Sequence, residues 1–156
     1  LAQRIQIAVI GAGQCDPAQA RVAEEVGRLL ARAGAVVVCG GLGGVMEAVA
    51  RGAKGEGGLT LGILPGSSRG EANPHLDCAI ATGLGHFRNF VIAQTADALV
   101  AVGGQYGTLS EIAMALTLGK TVVGVGTWKI EGVVDAASAA EAVRLALEAA
   151  RARPAT

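Results

Sequence analysis

Glycine is the feature that most constrains this chain. It fills 24 of 156 positions, about twice the usual share of ~7%. The glycines are not spread as in a flexible linker. They gather directly after short apolar runs: Gly11 and Gly13 after Ile5 to Ile10, Gly40, Gly41, Gly43 and Gly44 after Ala35 to Cys39, and Gly103, Gly104 and Gly107 after Ala98 to Val102. An apolar run that opens into glycines and then into a helical pattern is the signature of a buried strand, a tight turn and a helix.

The remaining pattern continues this alternation. Asp16-Pro17 reads as a helix N-cap with proline at the first helical position. Val22, Val26, Leu29, Leu30 and Ala33 follow at helical spacing, and Gly34 closes the helix. Val45 to Lys54 is a second helix. Leu59 to Leu64 and Leu76 to Ile80 are strands, joined by the polar segment Ser67 to Pro74. A short helix covers Arg88 to Thr95, and a longer one Thr108 to Leu118 up to Gly119. Thr121 to Val125 is a sixth strand, and Ala139 to Arg151 a terminal helix. Strands that alternate with helices imply right-handed crossovers and one parallel sheet covered on both faces. The expected fold is α/β, a Rossmann-like doubly wound sheet of about six strands. The expected organisation is one phosphate- or nucleotide-binding domain over 1–156. Aromatics are only 3%, so the core must be built from Val, Ile, Leu and Ala, as buried parallel strands and their helices usually are.

The bulk chemistry excludes several classes. The 13 basic and 13 acidic residues cancel, so no overall field attracts nucleic acid or an anionic membrane, and neither is expected as a partner. The three cysteines, Cys15, Cys39 and Cys78, form no CxxC pair. They are expected as single buried or half-buried thiols in a reducing compartment, with no metal site. Neither a signal peptide nor a membrane-spanning stretch is visible, which gives a cytoplasmic expectation. The sequence begins at Leu1, which leaves any preceding segment open.

Ligands of doubly wound sheets lie beyond the carboxyl ends of the strands, near the switch point, and the glycine clusters all fall there. Gly11-Ala12-Gly13 lacks the third glycine of a dinucleotide fingerprint: that position is Asp16. Gly40-Gly41-Leu42-Gly43-Gly44-Val45-Met46-Glu47 lets backbone approach a ligand and leaves N–H groups at a positive helix end, which suits phosphate or ribose. Met46 fits the core as well as a ligand contact. Gly103-Gly104-Gln105-Tyr106-Gly107-Thr108-Leu109-Ser110-Glu111 is a second such turn. Its Thr108 and Glu111 match a T-x-x-E capping box, which would place Glu111 in the first helical turn. In Thr82 to Asn89, Arg88 opens a helix, where a cation opposes the dipole unless a bound anion or Glu111 offsets it. His86 is open between turn residue, hydrogen-bond donor and proton donor. His75 is expected on the surface.

These residues resemble the LOG family, often mislabelled lysine decarboxylase-like. Its hallmark is P-G-G-x-G-T-x-x-E, matched by Gly103 to Glu111, after an M-H-E-R-K-like segment matched by His86-Phe87-Arg88-Asn89. The turn at Gly40 to Glu47 extends the resemblance over most of the chain. It implies a catalytic pair, Arg88 and Glu111, that hydrolyses the N-glycosidic bond of a nucleoside 5′-monophosphate. It also implies phosphate binding by Gly104, Gly107 and Thr108. Around these, Gly11, Gly13, Gly40, Gly41, Gly43, Gly44, Met46, Asn89, Gly103, Gln105 and Tyr106 complete the expected binding set. Gly103 replaces the motif proline, Gln105 its second glycine, and Phe87 and Asn89 the Glu and Lys around the arginine. In this the chain resembles a subgroup that includes molybdenum-cofactor carrier proteins, which bind a phosphorylated pterin without transforming it. The first expectation is a phosphoribohydrolase; the alternative is a non-catalytic carrier or sensor of a nucleotide-like ligand. Neither requires a cofactor; the bound molecule would be an AMP-like nucleotide or the molybdenum cofactor. A homodimer is expected from the resemblance and from apolar helices that one small sheet does not cover. Lysine decarboxylation is not expected: Lys54, Lys120 and Lys129 all lie outside the glycine loops.

Overall fold

The computed structural model describes residues 3–153. Its elements run β1 (Gln6–Gly11), α1 (Pro17–Arg32), β2 (Val36–Cys39), α2 (Val45–Gly55), β3 (Thr60–Leu64), β4 (Cys78–Ala81), α3 (Arg88–Thr95), β5 (Ala98–Val102), α4 (Tyr106–Thr117), β6 (Val122–Val125), β7 (Val133–Asp135) and α5 (Ala139–Ala152). All strand pairs are parallel, in the order β4-β3-β2-β1-β5-β6-β7. The chain winds outward one way from β1 to β4, then crosses back beside β1 with β5. The switch point is therefore the crevice between β1 and β5.

Alternation along β1 divides the core. Ile7 and Val9 face α1, α2 and α5, while Ala8 and Ile10 face α3 and α4. The α1–α2 crossing is close because both helices carry glycine there. A Cβ on Gly27 would meet the backbone of Val49 and Ala53, and one on Gly52 the backbone of Glu24. Across the same crossing Arg51 Nη2 stands 3.0 Å from Glu24 Oε2. The first helix begins as expected: Asp16 accepts from the Gln19 amide at 2.8 Å, the Gln19 side chain returns to the Asp16 amide, and Pro17 follows.

Four expectations need correction. The sheet has seven strands, not six: β7 is three residues with exposed Val134 and Asp135, so it lacks the apolar run that marks the others. Thr108 is not a helix cap. Helix α4 starts two residues earlier, with Gln105 at the N-cap, so Thr108 is the third helical residue and Glu111 lies in the second turn. The T-x-x-E spacing also describes two residues stacked on one helix face, and here both are buried. Cys78 is exposed, because β4 is an edge strand. His75 is half-buried, with Nε2 3.9 Å from Glu47 Oε1. Among the described residues no helix is long and apolar enough to cross a membrane.

Candidate functional site

Helix starts in this fold are of two kinds. Those of α1 and α5 are closed by side chains: Asp16 accepts from the Gln19 amide, and Ser138 from the Glu141 amide. Those of α2 and α4, beyond the carboxyl ends of β2 and β5, have no side-chain cap; α3 has none either, but it continues directly from a turn of 3-10 helix. Helix α2 starts from Gly44 at φ 62°, ψ −129°, a conformation open to glycine and costly for other residues. The Val45 amide donates to Ala12 O at 3.1 Å. The next two amides, of Met46 and Glu47, have no acceptor among the described residues. At α4 the same holds for Tyr106, Gly107 and Thr108. An uncapped helix start combines unpaired N–H groups with the positive end of the dipole, and so attracts an anion.

The β1 loop fits between these two starts. A Cβ on Gly44 would lie 2.6 Å from the Gly13 carbonyl carbon, and one on Gly43 3.3 Å from Gly13 O. A Cβ on Gly11 would lie 2.6 Å from Val45 Cβ and 2.7 Å from Val102 O. The glycine loops after β1, β2 and β5 thus end side by side at the switch point. On the β5 side, Gly104 has φ 111° and faces Thr108 so closely that a Cβ would be 2.6 Å from its Oγ1.

Arg88 and Glu111 lie below these loops, both buried, at 7% and 6% exposure. Arg88 Nε donates to Ile63 O at 2.8 Å and Nη2 to Gly40 O at 3.2 Å, while Nη1 donates to Asn89 Oδ1. Met46 Sδ is 3.9 Å from Nη2. Three of the five guanidinium N–H groups are therefore held by protein oxygens, and a fourth faces the Met46 sulfur. Asn89 Nδ2 donates to Ser110 Oγ at 3.2 Å, which donates to Gly107 O at 2.6 Å. That chain ties α3 to the start of α4. Burial lowers the pKa of Arg88, opposed by the charge of Glu111. Burial raises that of Glu111 to about 8, opposed by Arg88. The two interact through space without a direct ion pair among the described residues. Glu111 is thus mostly protonated near neutrality. Beside them the Cys39 thiol is pushed to about 11 by burial, which makes it inert.

The structure brings together Gly11, Gly13, Gly40, Gly43, Gly44, Met46, Arg88, Asn89, Glu111, Gly103, Gly104, Gly107 and Thr108. Gly41 turns away, toward Leu64. Met46 is 8% exposed and belongs to the core. Gln105 and Tyr106 are at the rim, with Tyr106 81% exposed. His86 is exposed, in a turn of 3-10 helix. Sequence reasoning missed Trp128 and Thr127. Thr127 Oγ1 donates to Gly103 O at 2.6 Å and Trp128 Nε1 to Gln105 O at 3.3 Å. The one available signal was a lone tryptophan in a polar segment directly after a strand. An open cavity of about 300 Å³ lies here, lined by Trp128, Lys129, Ile130, Glu131, Val133 and Asp135. It is beside the α4 start, not above Arg88 and Glu111.

Comparison with known proteins supports the fold. The molybdenum cofactor binding protein of Rippkaea orientalis is 33% identical, with 94% of this chain and 97% of that one superposed at a TM-score of 0.89. The molybdenum cofactor carrier protein of Chlamydomonas reinhardtii is also 33% identical, with 97% and 100% covered at a TM-score of 0.85. An uncharacterized protein of Archaeoglobus fulgidus is 54% identical over 118 residues, which cover 76% of this chain and 78% of that one. The pattern of the SLOG cluster4 family matches residues 4–152, and the chain belongs to that family.

Proposed function

We infer that this chain binds a phosphorylated, nucleotide-like molecule at the β1/β5 switch point and carries it without transforming it, the molybdenum cofactor being the leading candidate cargo. The observation that carries this reading is the pair of helices without a side-chain cap, α2 and α4, each entered from a glycine-rich loop on either side of the crevice. In this reading the amides of Gly104 to Thr108 hold the phosphate, and the loops at Gly11 to Gly13 and Gly40 to Gly44 form the opposite wall. The two solved relatives are named for binding or carrying the molybdenum cofactor, which favours a cargo of that class.

A phosphoribohydrolase is the second reading, favoured by the electrostatic coupling of Arg88 to Glu111. Two features weigh against it. An oxocarbenium-like sugar needs an ionised carboxylate beside it, and burial keeps Glu111 mostly neutral below pH 8. Arg88 also spends three donors on Ile63, Gly40 and Asn89. It therefore acts as a brace between β2, β3 and α3 more than as a free substrate clamp. Calorimetric titration and an AMP hydrolysis assay test the choice. The carrier reading expects saturable binding of a phosphate monoester and no release of adenine or ribose 5-phosphate. Turnover that disappears in Glu111→Ala would transfer the assignment to the hydrolase.

A further inference from the structure

We propose that Thr127 and Asn73 are positioning residues for the anion site: each holds the carbonyls of one glycine loop away from the crevice, so that the amides of that loop stay aimed into it. The proposal rests on the binding reading above and deepens it, by naming what aims the donors.

The reason lies in the peptide unit. In a trans peptide a carbonyl and the N–H of the next residue share one plane and point in opposite directions. Whatever grips the C=O from one side therefore aims the N–H to the other. After β5, Thr127 Oγ1 donates to Gly103 O at 2.6 Å and Trp128 Nε1 to Gln105 O at 3.3 Å. Those two peptide planes carry the amides of Gly104 and Tyr106, and neither amide has an acceptor among the described residues. After β2, the Asn73 amide donates to Gly41 O at 2.9 Å and its Nδ2 to Leu42 O at 3.0 Å. Those planes carry the amides of Leu42 and Gly43, again without an acceptor among the described residues.

Both grips have the same topology. The loop leaving β5 is held by the segment leaving β6, the next strand outward. The loop leaving β2 is held by the segment leaving β3, the next strand outward on the other side. The two halves of the sheet use one device twice, at the two helix starts that open on the crevice.

Each gripping side chain is itself aimed. A Cβ on Gly124 would lie 2.4 Å from Thr127 Cγ2, so the glycine in β6 clears the seat that this methyl fills. A β-branched side chain with one branch seated has its other branch fixed as well, and here that branch is the hydroxyl on Gly103 O. Asn73 is held at its other end, where Oδ1 accepts from the His75 amide at 3.1 Å. That leaves Nδ2 turned to Leu42. Both residues are half-buried in loops, where water would satisfy the same groups, so these bonds add little to folding. What they fix is the direction of the free amides, and donors already aimed bind without the cost of ordering them.

Inorganic phosphate is titrated into nitrogen-15-labelled protein while the amide signals of Gly104, Tyr106 and Gly107 are followed, with urea unfolding of each variant in parallel. In the unaltered chain these signals should shift saturably. Thr127→Val keeps the seated methyl and removes the donor; phosphate affinity should fall about fivefold or more, with the urea midpoint nearly unchanged. Thr127→Ser keeps the hydroxyl and should restore most of that loss. Asn73→Ala should weaken binding by a similar factor through the other loop. Thr117→Val removes the same kind of hydroxyl–carbonyl bond at the far end of α4 and should leave affinity unchanged. Trp128→Phe keeps the ring and removes the second donor on the β5 loop; its affinity should fall about twofold or more, an independent test if Thr127→Val unfolds. Full phosphate affinity in Thr127→Val, or a loss that Thr127→Ser leaves unrestored, overturns the proposal for the β5 loop, and full affinity in Asn73→Ala overturns it for the β2 loop; either result leaves the anion site standing. If the unaltered chain shows no saturable shift, the reading of the glycine loops fails first, and this one with it.

Discussion

The carboxyl group of Glu111 makes the stability of this protein depend on pH in an unusual direction. In the unfolded chain it ionises near the ordinary 4.5, and in the folded chain near 8, because burial disfavours its charge. A folded-state value above the unfolded one means that the folded form binds the extra proton. The stability is therefore complete below pH 4.5 and is lost as pH rises towards 8. The loss is ~1.4 kcal/mol for each pH unit in that window, about 5 kcal/mol in all. That is a large part of the 5–15 kcal/mol typical of a domain. Glu111→Gln has nearly the same shape and no charge to lose. Urea unfolding of both proteins at pH 5, 7 and 9 isolates the effect, since the other titrating groups cancel in the difference. The two should be close at pH 5, with the glutamine variant more stable by about 3 kcal/mol at pH 7 and more again at pH 9. A difference that stays flat from pH 5 to pH 9 would refute the claim that this side chain is held neutral by burial.

Other consequences follow from single contacts. Gly44→Ala forces a Cβ to 2.6 Å from the Gly13 carbonyl carbon at a positive φ; calorimetric affinity for a phosphate monoester should fall at least tenfold, with a stability cost of about 1–3 kcal/mol by urea unfolding. Asp16→Ala removes the side-chain half of the α1 capping box, the acceptor of the Gln19 amide, and should cost about 1 kcal/mol, while phosphate affinity stays within about twofold. Leu84, Phe87 and Phe90 are exposed at 47%, 78% and 47% around the start of α3, more apolar surface than a lone protomer readily leaves in water. Sedimentation should therefore show a homodimer at micromolar concentration, and Phe87→Glu should shift it to a 15.5 kDa monomer.

How much of this was legible in the sequence depended on what kind of force fixed each part. Helix α1 was legible at both ends because Asp16-Pro17 and Gly34 are local signals whose reasons lie within a few residues. Strand β5 was legible to the residue, since Ala98 to Val102 is buried on both faces and reads as one apolar run. Strand β7 was not, because it joins through pairing to β6 and leaves Val134 and Asp135 in solvent. Tertiary register has no local composition. Thr108 and Glu111 misled for the opposite reason: a strong local signal, the T-x-x-E spacing, coincided with a buried helix face.

The sequence pointed to residues that the fold brings close together, but not to their electrostatic surroundings. Gly44, Gly104, Arg88 and Glu111 could be picked from motif and spacing alone. Yet an arginine and a glutamate of given spacing serve either catalysis or structure, and burial chooses between them. In water the pair would be fully charged. Here the glutamate surrenders its charge, and the arginine turns its donors to the carbonyls of Ile63 and Gly40. Among the described residues the amides of Met46, Glu47, Tyr106, Gly107 and Thr108 at the helix starts have no acceptor, and such amides can hold a phosphate without breaking bonds. The hydrolase reading would need that balance reopened, with the carboxylate ionised at neutral pH and the arginine freed from the strand ends. In the proposed reading, the solvation of this one carboxyl group decides between carrier and enzyme for this chain. The side-chain carboxyl carbon-13 shift of Glu111, followed from pH 4 to pH 9, measures it directly: a midpoint near 8 supports the carrier, and a midpoint near the ordinary 4.5 returns the carboxylate that the hydrolase needs.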